Sequence, residues 1–352
     1  MSRNGDFPDG NHYDPSGILI EFPRRVTASI DPRMREIVAD LPEPVRSMAR
    51  YHLRWADDQG APLSGGERIL RRYGSLMMLC VSRERSAWDR AVNVAAAGNL
   101  MMASQFIHDD IIDNDQERYG KPTVWARFGV PAAIMLGDAL TASAYAALAD
   151  EPPQVARELI RLMSATIQHI SAAQTQEMAN KGRTDITLQE SMAVVEAKAG
   201  RPAQFACAAG VAGSGGTPSQ VAAAAELGLH LGTAVQLHDD LNELWPTKDP
   251  ASETDLRDLR ERKTIPAVAY ALQISGRHQE ELSRYLQKTV SPGTTELLRV
   301  RALLDKIGAH EWLGEQLTGC VDAALTHIPE VTPVPLDQQE IRQYITDWLT
   351  PQ

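Results

Sequence analysis

Two segments of one form carry the chemistry of this chain: QFIHDDIIDND at 105–115 and GTAVQLHDDLNEL at 232–244. In a helix Asp109 and Asp113 stand four residues apart, so both carboxylates leave one face about 6 Å from each other. Asp239 and Glu243 repeat that geometry, and Asp110 and Asp240 enlarge the two clusters. Crowded carboxylates resist ionisation, and hard divalent cations relieve the crowding. Mg2+ takes one or two carboxylates together with phosphate oxygens of a substrate. The pattern therefore predicts a Mg2+–diphosphate site, with Asp109, Asp110, Asp113, Asp239, Asp240 and Glu243 as metal ligands and catalytic residues. One such cluster would fit a solvated acidic helix face equally well. A second copy, again flanked by apolar residues, argues against that reading.

The surrounding pattern is helical. From about residue 32 apolar residues recur at three- and four-residue spacing between turn signals, which predicts helices near 32–58, 66–82, 86–114, 131–149, 153–180, 187–213, 217–244, 264–274, 278–288, 294–306, 309–328 and 337–349. Strand alternation is essentially absent. Residues 1–30 read as a poorly ordered arm and 31–352 as a single all-α domain, whose 43% hydrophobic content is enough for a large core. Both acid clusters fall at helix C-termini, the negative end of the macrodipole, which sharpens their demand for cations. A net charge of −11 excludes nucleic acid and anionic membrane surfaces as partners. No run is read as reaching the ~18–20 apolar residues of a membrane span. Cys80, Cys207 and Cys320 lack metal-ligand spacing. These features predict a reduced, cytoplasmic protein without stable membrane insertion.

Further residues extend the pattern: GKPTV at 120–124, Gly137-Asp138, Gln174 with Glu177, Lys198, and Gln236 three residues before Asp239. Taken with the two clusters, residues 60–330 resemble the isoprenyl diphosphate synthase family of all-α prenyltransferases. The resemblance implies a class I isoprenoid synthase fold of antiparallel helices around a deep apolar cavity, with the acidic helices facing one another. It also implies about three Mg2+ ions, a polyprenyl diphosphate substrate and a homodimer. Arg118, Lys198, and Arg262 or Lys263 are then cations for the allylic diphosphate. Gln105, Phe106, Met102, Gln174 and Gln236 become substrate contacts, and His108 and His238 packing residues.

The chain departs from the family where isopentenyl diphosphate is held. The usual Gly-Gly-Lys-x-x-Arg reads GGERIL, with Glu67 and Leu70 at the cationic positions; Met102 replaces a His; and Arg118-Tyr119 replaces Arg-Arg. Reversing one charge about 4 Å from a diphosphate shifts the interaction by several kcal/mol at an effective dielectric of about 20. Each lost charge-assisted contact adds about 1.5–3 kcal/mol. A one-residue slip would let Arg68, Arg71 or Arg72 stand in.

These departures predict a class I terpene synthase: a lyase that ionises geranylgeranyl diphosphate, or secondly farnesyl diphosphate, and cyclises the cation in a pocket walled by Met77, Met78, Met101, Met102 and Phe106. The alternative is a chain-elongating prenyltransferase with a relocated isopentenyl diphosphate site.

Overall fold

A four-residue repeat opens the described chain. Phe22, Val26, Ile30, Met34 and Val38 are all at most 2% exposed and lie on one face of α1 (Ile18–Ala39). In this computed structural model, residues 18–63, 71–246, 256–274 and 276–349 are described. Part of the segment read as an arm is thus a buried helix. Pro23 and Pro32 lie inside it and mimic breakers in the sequence. An internal proline costs about 3 kcal/mol, whereas each of five buried apolar side chains contributes about 1.5–3 kcal/mol. Burial wins. The predicted helix over 32–58 is accordingly two, α1 and α2 (Val45–His52), parted by a turn containing Pro42 and Pro44.

Of the remaining helices, the longer follow the predicted order, while the short Val124–Phe128, Arg257–Arg260 and Ile328–Val331 are not among those predicted. They are α3 (Arg72–Leu79), α4 (Arg85–Ile112), α5 (Val124–Phe128), α6 (Val130–Ala149), α7 (Pro153–Asn180), α8 (Leu188–Val195), α9 (Arg201–Ser214) and α10 (Pro218–Leu244). Then come α11 (Arg257–Arg260), α12 (Pro266–Gln273), α13 (Arg277–Leu286), α14 (Thr294–Ile307), α15 (Ala309–Thr326), α16 (Ile328–Val331) and α17 (Pro335–Leu349). Among the described residues the sole sheet pairs β1 (Glu117–Arg118) with β2 (Lys121–Pro122), antiparallel. The protein is all-α, at 78% helix.

The chain divides into two compact units, residues 1–163 with 206–221, and residues 164–205 with 222–352. In the first, α4 packs along α6, α3 and α1. Helix α4 is buried nearly all round from Val94 to Ser104, which small residues (Ala95, Ala96, Ala97, Gly98) permit by letting neighbours approach. Close approach is literal at Gly210 of α9, where a Cβ would lie 1.7 Å from the Met77 carbonyl oxygen. Beside that seam Cys207 is fully buried and its thiol contacts the Leu76 carbonyl at 3.6 Å. In the second unit α12 packs on α8 and α15, with Tyr270 stacked on Trp312 at 4.7 Å. Gly228 and Gly232 of α10 face the Ala203 and Ala199 carbonyls, at 2.4 and 2.3 Å from where a Cβ would stand.

One expectation about membranes needs correction. Helix α6 has 20 residues and a mean hydropathy of 1.4 over its most apolar window, long and apolar enough by composition to cross a bilayer. Its alanines conceal this in the sequence. One face, Ala133, Leu136, Gly137, Leu140, Ala144 and Ala147, is buried in the first unit, while Val130, Ile134 and Met135 are exposed.

Candidate active site

The first cluster is set by the way α4 ends. Asn114 adopts a left-handed conformation (φ 57°), the Asp115 N–H bonds the Asp110 carbonyl at 2.8 Å, and the Asn114 N–H bonds that of Ile111. This pairing is a Schellman stop, which asparagine tolerates better than most residues. Asp113 becomes the C-cap, so Asp109 and Asp113 share the last turn, both half-buried. Asp110 turns inward and is 1% exposed.

A two-residue hairpin then reverses the chain. Tyr119 (φ 54°) and Gly120 (φ 69°) are both left-handed, the pattern of a type I′ turn. It folds Arg118 back onto the helix end. The Arg118 Nε donates to Asp110 at 2.6 Å, and its Nη2 lies 3.8 Å from Asp109 and 3.7 Å from Asp115. Burial nonetheless raises the Asp110 pKa to about 6, against the opposing pull of Arg118. Asp115 is a member of this cluster that the spacing rule passes over. Phe106 is flanked by the Arg118 guanidinium at 5.1 Å and the Tyr73 ring at 5.8 Å.

The second cluster lies at the end of α10. Asp240 is 2% exposed; its Oδ1 accepts from Gln236 at 2.8 Å, and its buried Oδ2 has no hydrogen-bond partner. Gln236, expected against substrate, is the donor to this carboxylate. Burial, then repulsion from Asp258, push the Asp240 pKa well up and that of Glu243 to about 7. Asp258 also donates its backbone N–H to Glu243 at 2.7 Å. Spacing does not point to it, because it lies 15 residues beyond Glu243, between the predicted helices 217–244 and 264–274. Lys263, 7% exposed, bonds Asp258 at 3.2 Å and stands 3.8 Å from Glu261. Arg262, its expected equivalent, turns elsewhere: its guanidinium donates to the Tyr285 and Val290 carbonyls. Asp239 remains 58% exposed at its side chain.

Lys198 sits in a five-residue π-turn, Glu196–Gly200, between α8 and α9. That turn breaks the single helix predicted over 187–213, and such bulges often re-aim a functional side chain. Lys198 meets Glu177 at 2.5 Å. Gln174 is 6% exposed, and its Nε2 lacks a partner. His108 lies against Gly137, where a Cβ would be 2.2 Å from its Nε2, and His238 contacts Asn242 at 3.1 Å; both pack as expected. Met77, Met78 and Met101 are at most 1% exposed and belong to the core, Met102 is 5% exposed, and Gln105 is half-buried. Glu67, Arg68 and Leu70 lie outside the described residues.

Do these groups suit a divalent cation? Among the described residues no three His, Cys, Asp or Glu side chains already gather at coordinating distance around one point. The donor chemistry does suit one: an orphaned buried carboxylate oxygen, and three carboxylates whose crowding is uncompensated by the neighbouring lysine, are groups that Mg2+ would satisfy.

A third group is cationic. The Arg54 Nη2 donates to the Arg118 carbonyl at 2.5 Å, and the Arg71 Nη2 to the Leu53 carbonyl at 3.0 Å. The charges of Arg118, Arg54 and Arg71 also act on His52, whose pKa falls to about 3 through loss of solvation and then those charges, against a hydrogen bond with the Ala103 backbone that favours the proton. Arg71 is 5% exposed and bonds Asp31 at 2.7 Å.

Residues 62–303 match the family described as Polyprenyl synthetase. The chain is 28% identical over 329 residues to a (2E,6E)-farnesyl diphosphate synthase of Mycobacterium tuberculosis, covering 90% of each protein. It is 28% identical over 317 residues to a geranylgeranyl diphosphate synthase of the same organism, covering 88% and 89%. A crystal structure of a polyprenyl synthetase from Streptomyces coelicolor superposes with a TM-score of 0.85 at 25% identity, covering 94% of this chain and 99% of the other. These relatives are named as diphosphate synthases, and they overturn the reading of a cyclising lyase. The loss of cationic groups at 67, 70, 102 and 119 predicts no acceptor site, whereas the Arg54 and Arg71 guanidiniums lie nearby, on the Arg118 and Leu53 carbonyls. The isoprenoid synthase fold expected from the sequence is present, and this chain belongs to the polyprenyl synthetase family.

Proposed function

We propose that this protein is a prenyltransferase that joins an allylic diphosphate to isopentenyl diphosphate, and that Arg54, Arg71 and Arg118 form the acceptor's anion site. The observation that carries this reading is that the Arg54 guanidinium bonds the Arg118 carbonyl and the Arg71 guanidinium bonds the Leu53 carbonyl, which gathers three arginines about the turn after α2. Each guanidinium presents five N–H donors in a planar fork suited to phosphate oxygens. Among the described residues the Arg71 Nε bonds Asp31 and its Nη2 the Leu53 carbonyl. His52 stays neutral among them, so it can donate to or accept from a bound anion at no cost in charge.

The family generally uses Mg2+. Asp109, Asp110 and Asp113 in one cluster, and Asp239, Asp240 and Glu243 in the other, are the residues that would hold about three such ions. Bound there, Mg2+ neutralises the charge that develops on the departing diphosphate. The chain's own cations act in the same sense: Lys198 and Lys263, each held by carboxylates, place fixed positive charge where the leaving group gains negative charge. Glu177 and Asp258 keep those lysines from turning to solvent, and the Gln174 amide offers an unpaired donor to a diphosphate oxygen. Apolar packing around Phe106 keeps water from an allylic cation. A homodimer formed through the exposed apolar face of α6 completes the proposal, supported by Val130, Ile134 and Met135.

The test is incubation with dimethylallyl, geranyl and farnesyl diphosphates plus labelled isopentenyl diphosphate. Label is expected in longer prenyl diphosphates. Arg54→Ala should raise KM for isopentenyl diphosphate at least tenfold, the loss of one charge-assisted contact of about 1.5–3 kcal/mol, with little change in KM for the allylic partner. Hydrocarbon products free of label would overturn the proposal.

A further inference from the structure

A second cationic place lies on the first unit, away from the acid clusters. Arg46 and Arg50 stand one helical turn apart on α2, and Arg35, Val38 and Ala39 share a face of α1. With Trp55 they line a cavity of about 300 Å3. Three guanidiniums around one hollow are conspicuous in a chain of net charge −11, and like charges at i, i+4 repel by a few tenths of a kcal/mol. The structure relieves this only in part. Arg46 bonds Glu43 at 2.8 Å and the Ala39 carbonyl at 3.1 Å, and Arg35 lies over the Trp55 ring at 4.3 Å. Arg50 is half-buried, and among the described residues its guanidinium has neither hydrogen bond nor ion pair. A structural arginine would be expected to meet a carboxylate or carbonyl there, as Arg33, Arg46 and Arg71 do.

We propose that this cavity binds a small phosphate-bearing molecule with a short apolar group. The guanidiniums of Arg50, Arg46 and Arg35 take the phosphate oxygens, the forked geometry arginine is suited to. Val38, Ala39 and the Trp55 indole, which is 5% exposed, receive the apolar part. The volume sits at the lower end of ligand sites, roughly 300–1,000 Å3, which suits a head group with a short tail and excludes a long prenyl chain. The site does not depend on the transfer reaction. It does adjoin the proposed acceptor cations: Trp55 Nε1 donates to Asp31 Oδ2 at 3.1 Å, and Asp31 Oδ1 accepts from Arg71. Occupancy is therefore expected to alter Trp55 emission.

The test is titration of the full-length chain, in Mg2+-free buffer with chelator, by inorganic phosphate, inorganic diphosphate and isopentenyl diphosphate. Calorimetry counts sites and tryptophan emission reports the cavity. Wild type is expected to bind isopentenyl diphosphate more tightly than inorganic diphosphate. Arg50→Ala should weaken cavity binding at least tenfold and leave the thermal midpoint unchanged, because Arg50 has no partner to lose. Its effect should add to that of Arg54→Ala, which weakens the acceptor site, and Trp55→Phe should abolish the emission change while keeping the heat. An Arg50→Ala titration that matches wild type, or equal affinity for the two diphosphates, would overturn the proposal. Failure of chain elongation would show in the product assay and leave this result untouched.

Discussion

At the scale of single residues, several groups are held in states that folding alone would disfavour. Asp240 is the clearest. It is buried, one oxygen is unpaired, and Asp258 and Glu243 repel its charge. Such a residue is retained for binding, not for stability. Asp240→Asn is therefore expected to abolish turnover while raising stability by on the order of 1 kcal/mol or more; a thermal melt run beside the product assay checks both. A variant that is inactive and less stable would show the carboxylate to be structural. His52 makes the opposite kind of statement. Its folded pKa of about 3 lies below its ordinary value near 6.5. The unfolded chain thus takes up a proton that the folded one refuses, and stability is complete above pH ~6.5 and lost progressively as pH falls toward 3. His52→Gln should lessen that acid sensitivity. The gap between variant and wild-type urea midpoints is expected to widen in the variant's favour from pH 7 to pH 4.5, and a constant gap would exclude His52 as the cause.

At the scale of elements, helix contacts are decided by glycine more than by large side chains. A methyl at Gly210 would occupy the space of the Met77 carbonyl, whereas one at Gly314 in the middle of α15 would meet nothing within 4 Å. Gly210→Ala is expected to destabilise by about 1–3 kcal/mol or more. Gly314→Ala should stabilise by about 0.5–1 kcal/mol, because alanine forms helix more readily. Differential scanning calorimetry on the pair checks the opposed signs. The order and type of helices could be read from the sequence because apolar spacing of three and four is a local signal. The π-turn at Lys198 could not, since 187–213 keeps its helical period through it. The start of α1 was missed for a different reason: its prolines are a strong local signal that burial overrides. Asp109 with Asp113 and Asp239 with Glu243 stand out by spacing, but Asp258 comes to Glu243, and Arg54 to the Arg118 carbonyl, through tertiary approach, which no spacing rule encodes. The same limit produced the cyclase reading. Reading by register leaves out the Arg54 guanidinium, which comes from the turn after α2.

For the whole molecule, the exposed apolar surface on α6 is where the proposed dimer would form. Met135 is 56% exposed with Ile134 and Val130 each at 39%, and contiguous patches of that kind mark interaction surfaces. Met135→Glu is expected to shift the protein from dimer to monomer in multi-angle light scattering at micromolar concentration. A wild-type monomer under the same conditions would remove the dimer proposal without touching the chemistry.

The seam between α3 and α9 also carries a clock. Cys80 and Cys207 are 4% and 0% exposed, and the Cys207 thiol contacts the Leu76 carbonyl, while Cys320 is only half-buried. A thiol reagent can reach Cys207 only while the seam is open, so its labelling rate counts openings of that seam directly. One thiol should therefore react early and two late, with the late rate rising steeply in urea well below the global midpoint if α3 detaches on its own. If all three thiols react together, α3 and α9 part only when the whole unit unfolds.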